Sequence, residues 1–154
     1  MNRWSIALVI VIGLILMGCS TDGMAGDKPP KVWIEIGNER YETTLGSYCW
    51  NGLLDSTCVD TAGPIELLEG KESIKVKPGE EILFVMDYEP KPNEMNVVQI
   101  QNNKESDIAV KGNRIIAPMQ KGIYYYAYGV WWMDEKEANV SRGDASYAFV
   151  LEVN

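Results

Sequence analysis

Three cysteines, an acidic loop and a complete lack of histidine delimit the chemistry open to this chain. With no imidazole in the sequence, Ser-His-Asp and Cys-His nucleophile pairs, histidine-containing zinc sites and His-Cys copper sites are excluded. A site built from carboxylates remains possible, with Asp87, Glu89, Asp134 and Glu137 as the candidates. Glycoside chemistry would require two of them about 5–9 Å apart across a cleft, and their linear spacing gives no sign of that. Calcium needs only oxygen ligands, yet neither Asp134-Glu135-Lys136-Glu137 nor Ser141-Arg142-Gly143-Asp144 has the spacing of a dedicated calcium loop, so both read as solvated surface. No nucleophile motif accompanies the carboxylates, and the sequence yields no catalytic residue, metal ligand or cofactor.

Cys19 stands apart from the other thiols because of what precedes it. One basic residue, Arg3, is followed by the apolar run from Ile6 to Gly18, which is shorter than the roughly 20 residues a spanning helix needs. A basic start, a short apolar stretch and a small residue before the cysteine form an export signal with its processing site at that thiol. Leu16-Met17-Gly18-Cys19 resembles the lipobox of bacterial lipoproteins, although Met17 occupies a position where small or β-branched residues prevail. The resemblance implies removal of residues 1–18 and a diacylglyceryl thioether on Cys19, giving a lipid anchor on the extracytoplasmic side of the cell membrane. With Cys19 so used, Cys49 and Cys58 are left as an even pair in an oxidising location. Asn51-Gly52 between them is a turn signal that brings two strands back together, so a structural disulfide is expected.

Loss of Arg3 with the leader leaves thirteen basic against twenty-two acidic residues, a net charge of −9. Such a balance argues against nucleic acid as a partner, since its phosphates must be neutralised by clustered Lys and Arg. Electrostatic docking on anionic lipid or anionic wall polymer is disfavoured for the same reason. The stretch 19–30, ending in Pro29-Pro30, is too poor in large apolar groups to pack and reads as the lipidated cysteine and a flexible tether; residues 31–154 are expected to form one domain.

Within that domain the pattern is β nearly throughout. Val32–Ile36 and Arg40–Leu45 read as a hairpin leading directly into Gly46–Trp50, while Ile65–Leu68, Ser73–Lys77, Glu81–Tyr88 and Asn96–Gln101 read as further strands. Ile108–Val110 and Arg114–Ile116 flank Lys111-Gly112-Asn113, the chemistry of a tight hairpin turn. Ile123–Trp132 is the most aromatic strand, a polar loop covers Asp134–Asp144, and Ser146–Val153 closes the chain. The best helical candidate is a turn around Glu135–Asn139. Strands recurring every ten or so residues predict an all-β, antiparallel sandwich of immunoglobulin type with about seven to nine strands.

Alternation along the aromatic strand puts Ile123, Tyr125, Ala127 and Trp131 on one face and Tyr124, Tyr126, Tyr128, Val130 and Trp132 on the other. Only one face can enter a two-sheet core. An uncovered row of Tyr124, Tyr126, Tyr128 and Trp132 would be a binding face for a protein, peptide or glycan. Trp50, beside Cys49, and Trp33 read as core residues.

Thr44-Leu45-Gly46-Ser47-Tyr48-Cys49-Trp50, Cys58-Val59-Asp60, Lys77-Pro78-Gly79-Glu80, Ala117-Pro118 with Gly122–Tyr126, and Gly143–Phe149 together resemble small membrane lipoproteins of Bacillus-type, Gram-positive bacteria, a group without an established activity. The Pro-Gly-Glu turn, the Gly-x-Tyr corner and the terminal Tyr-x-Phe strand are similar to bacterial immunoglobulin-like sandwiches, including the Bacillus proteinase-inhibitor domain. The expectation is a non-enzymatic, membrane-anchored binding or accessory module of the cell envelope. A proteinase inhibitor of the same fold is the alternative, and a carboxylate enzyme comes third.

Overall fold

The computed structural model describes residues 23–154, which form eleven strands and one short helix. The strands are β1 (Val32–Ile36), β2 (Glu39–Glu42), β3 (Thr44–Asn51), β4 (Ser56–Val59), β5 (Ile74–Val76), β6 (Glu81–Met86), β7 (Glu94–Gln101), β8 (Lys104–Ile108), β9 (Arg114–Ile116), β10 (Gly122–Met133) and β11 (Ser141–Val153). They make two sheets packed face to face. The smaller runs β2-β1-β6-β9; the larger runs β4-β3-β11-β10-β7-β8, with β5 pairing in parallel to the end of β11. The expected sandwich is therefore the fold, and short flanking strands raise its strand number above seven to nine.

Alternation is the cause of this architecture. In β1 the residues Val32, Ile34 and Ile36 are buried between half-buried Trp33 and Glu35; in β10 every even-numbered residue from Tyr124 to Trp132 is buried. Both patterns send one face of each sheet into a shared core, where Ile34, Ile82 and Ile115 of the small sheet meet Tyr126, Val130, Tyr147 and Leu151 of the large one. Thr43 is the chain's switch between sheets: its backbone N–H and its hydroxyl both donate to the Val32 carbonyl, at 3.0 and 2.7 Å, and β3 departs to the other layer. The expected continuous run from Arg40 through Leu45 is therefore split, with Thr44 and Leu45 belonging to β3.

Other local expectations are corrected. Ile65–Leu68 is not a strand: Pro64–Leu67 forms the helix α1, with proline at the first helical position, where its missing N–H costs nothing. Lys111 and Arg114 exchange backbone hydrogen bonds around Gly112 and Asn113, both at positive φ, so the tight turn exists. Its arms do not continue as a hairpin, because β8 pairs with β7 and β9 with β6 in the opposite sheet. Glu135–Asn139 forms turns rather than a helix, and β11 begins at Ser141 rather than Ser146.

The largest revision concerns residues 23–30, read from sequence as flexible tether. Met24 is 4 % exposed, pairs with Gly52 in a parallel bridge and donates its N–H to the Asn51 carbonyl at 2.8 Å. Three buried or half-buried aromatics reach the same segment: Trp50 donates to the Gly26 carbonyl, Tyr88 to Ala25 and Tyr147 to Pro30. These are carbonyls that solvent would otherwise satisfy, and each gives an aromatic polar tip its partner. The packed part of the chain thus includes Met24 and does not begin near Lys31. Cys19 lies outside the described residues.

Candidate functional site

Tyr124, Tyr126, Tyr128 and Trp132 do share one face of β10, but that face looks into the core, and none is more than 3 % exposed. The condition for a binding face, an uncovered row, is therefore not met: Tyr124, Tyr126, Tyr128 and Trp132 are core residues. The cause is visible across the register: Tyr124, Tyr126 and Tyr128 stand opposite Leu151, Phe149 and Tyr147 of β11, so the aromatic face joins the most apolar face of its neighbour. Phe84 of the small sheet stacks on Tyr128 with centroids 4.0 Å apart, and Tyr126 stacks on Phe149 at 4.8 Å. Each polar tip escapes to a partner: Tyr124 donates to the Gln120 carbonyl, Tyr126 to Gln99 Oε1 and Trp132 Nε1 to the Pro90 carbonyl, while the Tyr128 hydroxyl lies 3.9 Å from Met95 Sδ. Among the described residues, no buried side-chain nitrogen or oxygen is left without a partner. Burial raises the phenols of Tyr126 and Tyr147 above the usual tyrosine range and pushes Tyr128 up to about 12.

The surface feature that these aromatics do build lies at one end of the sandwich, here called the proximal end, where residues 23–30 join the domain. Trp50, Tyr88 and Trp132 meet there edge to face, with centroids 5.0–5.8 Å apart. An open groove of about 520 Å³ is lined by Tyr88 and Trp132 of this cluster together with Met24, Ala25, Glu89, Pro90 and Lys91. Trp132 and Met133 line it, with Glu135, Lys136 and Arg142 at its rim. Asn93 fixes the wall to β10 by a two-way bond, its Nδ2 donating to the Met133 carbonyl and its Oδ1 accepting from the Met133 N–H. Sequence reading missed this groove, because its parts come from four separate segments; the closest signal was the pair Pro90 and Pro92, which forces an irregular connection.

The polar groups at this end are mostly engaged with each other. Asp134 accepts from the backbone N–H groups of Lys136 and Glu137 and from Arg142 Nε, all between 2.7 and 3.1 Å, and these bonds hold its carboxyl down at about 2. Glu89 pairs with Lys91 at 3.3 Å, and Asp87 lies 4.0 Å from Arg40. No set of three His, Cys, Asp or Glu side chains that could hold a metal occurs among the described residues. The groove offers an indole, a thioether and mixed charges, which suits recognition of a polar ligand with an apolar portion; among the described residues, no serine, threonine, cysteine or histidine lines it.

Cys49 and Cys58 form the expected disulfide, directly opposite each other on β3 and β4 with Cα atoms 4.1 Å apart. The bridge ties down β4, an edge strand exposed at every residue. Beyond it, Gly52 N–H donates to the Asp55 carbonyl at 2.8 Å and closes a turn whose tip carries Leu53 and Leu54. No family model, curated protein or solved structure matches this chain.

Proposed function

We propose that the chain is an exported lipoprotein, acylated at Cys19 and held on the extracytoplasmic face of the cell membrane, whose β-sandwich is a non-enzymatic binding or accessory module. The observation that carries this reading is the cysteine inventory: the Cys49–Cys58 bridge uses two of the three thiols and leaves Cys19 alone behind the apolar run and Leu16-Met17-Gly18. A lone cysteine at the end of a short export signal has a covalent use in the lipobox reading, and a stable disulfide fits an oxidising compartment. Metabolic labelling with an alkyne fatty acid tests it. Wild-type protein takes up label and sediments with membranes; Cys19→Ala takes up none and leaves the membrane fraction, whereas an unprocessed variant that stays with the membrane would overturn the reading.

With the tyrosine row buried, the proximal groove replaces it as the surface offered to an envelope protein, peptide or glycan. A photo-crosslinking residue at Lys136, on the groove rim, is expected to capture a partner in intact cells that the same residue at Lys104, on exposed β8 at the far end, does not. Equal capture from both positions would reject the groove.

A further inference from the structure

The tip of the β3–β4 hairpin carries two adjacent leucines in water, Leu53 at 55 % and Leu54 at 95 % exposure, on an otherwise acidic protein. Their position relative to the chain's path gives them a use. Gly23 packs so closely on the tip that a Cβ there would lie 2.7 Å from Leu53 Cα, and Met24 is bridged to Gly52. Cys19 is five residues before Met24, so even a fully extended chain places the two Cα atoms within about 17 Å. If Cys19 carries acyl chains, the hairpin tip hangs within that distance of the bilayer surface.

We infer that Leu53 and Leu54 insert into the outer surface of the membrane bilayer as a second, non-covalent contact beside the lipidated Cys19. This rests on the lipoprotein reading above. The hairpin is built to present the pair: the disulfide clamps its base and the Gly52–Asp55 turn fixes its tip, so little ordering remains to be done on docking. Val140, 41 % exposed, lies at the same end, next to Ser141, whose carbonyl accepts from Asn51 Nδ2. Asp27 and Asp55 flank the tip in place of a basic cluster, so the contact is apolar and gains nothing from anionic lipid. One packed domain contact plus two acyl chains fixes an orientation, with the proximal end towards the membrane and the groove beside it.

The test uses full-length, processed protein reconstituted in phosphatidylcholine vesicles, with mass spectrometry confirming acylation of Cys19. A Leu54→Trp variant is compared with wild type in ordinary and acyl-brominated phosphatidylcholine. The added indole emission is expected to shift to the blue and to be lost in the brominated vesicles, and adding anionic lipid is expected to leave both unchanged. Hydrogen exchange at Gly52–Asp55 is expected to be slower in wild type on vesicles than in the released Cys19→Ala protein, and Leu53→Ser/Leu54→Ser is expected to abolish that slowing. Unquenched emission from acylated protein overturns membrane docking and leaves the anchor standing; missing acylation overturns the anchor itself. A blue shift that ignores bromine but grows with protein density assigns the leucines to a second copy of the chain and also overturns the inference.

Discussion

Replacing Met24 by alanine discriminates between a packed leading segment and a tether. The Met24 side chain is 4 % exposed and belongs to the main core cluster, and burying such a side chain is worth about 1.5–3 kcal/mol relative to leaving it in water. Met→Ala in a closed core costs about 2–5 kcal/mol. Here the loss is capped, because residues 24–30 can peel away at the expense of the Met24–Asn51, Trp50–Gly26 and Tyr88–Ala25 hydrogen bonds, each worth about 0.5–1.5 kcal/mol net. The expected destabilisation is therefore about 2 kcal/mol, which for a domain of this size lowers the midpoint of thermal unfolding by about 6–10 °C. Urea unfolding of the soluble chain from Ser20 to Asn154 provides the measurement, with Met119→Ala, at a side chain 75 % exposed, as control. If Met24→Ala stays within about 0.5 kcal/mol of wild type, as surface substitutions do, the segment is a tether and the distance argument for the hairpin tip falls with it.

Gly143→Ala should destabilise by about 1–2 kcal/mol in the same assay: its Cβ would lie 2.8 Å from Trp50 Cε3, an overpacking cost of about 1–3 kcal/mol partly offset by about 0.4–1 kcal/mol from the stiffer unfolded chain. Opening the disulfide with Cys49→Ala/Cys58→Ala should cost no more than about 2.6 kcal/mol on the chain-entropy estimate, with faster hydrogen exchange confined to residues 51–59, since β4 is peripheral. The Asp134 carboxyl, held at about 2 against 3.8 for an unperturbed aspartate, contributes stability above pH 4 that is lost as pH falls towards 2; Asp134→Asn should remove that slope from a pH series of unfolding midpoints. On the alkaline side the sign reverses: burial raises the Tyr126, Tyr128 and Tyr147 phenols, so the unfolded chain ionises first, and stability falls as pH rises from 10 through about 12 for Tyr128. Phenolate absorbance from these three should appear only together with loss of the β circular-dichroism signal.

The sandwich was legible because its strands advertise themselves twice, by alternation and by turn chemistry, as at β1 and around Lys111–Asn113. Turn chemistry specifies a reversal but not which sheet receives each arm, which is why the Lys111 turn was found and its pairing was not. Asn102 and Asn103, both at positive φ, make the β7–β8 turn without the glycine that usually signals it. Ile65–Leu68 is too short an apolar run for its period to separate helix from strand, and only Pro64 pointed to the helix. Met24 was invisible as a core residue because it is a single apolar side chain in a polar segment; its backbone partners lie far along the chain, at Asn51 and Gly52.

The tyrosine row illustrates a deeper limit. Alternation divides β10 into two faces, and only the neighbouring strands decide which one turns inward. Tyr124, Tyr126, Tyr128, Val130 and Trp132 present more apolar area than Ile123, Tyr125, Ala127, Gly129 and Trp131, and burying the larger set is favoured provided the polar tips are satisfied. They are, at Gln120, Gln99 and Pro90, so the usual argument that tyrosines in a row mark a binding surface fails for this chain. The same requirement couples the core to the chain's leading end. Trp50, Tyr88 and Tyr147 lose solvent around their polar tips, and the carbonyls of Gly26, Ala25 and Pro30 accept their hydrogen bonds instead, which draws residues 24–30 onto the domain. On the proposed lipoprotein reading, these aromatic residues would set how closely the sandwich stands to the membrane that acyl chains on Cys19 would enter.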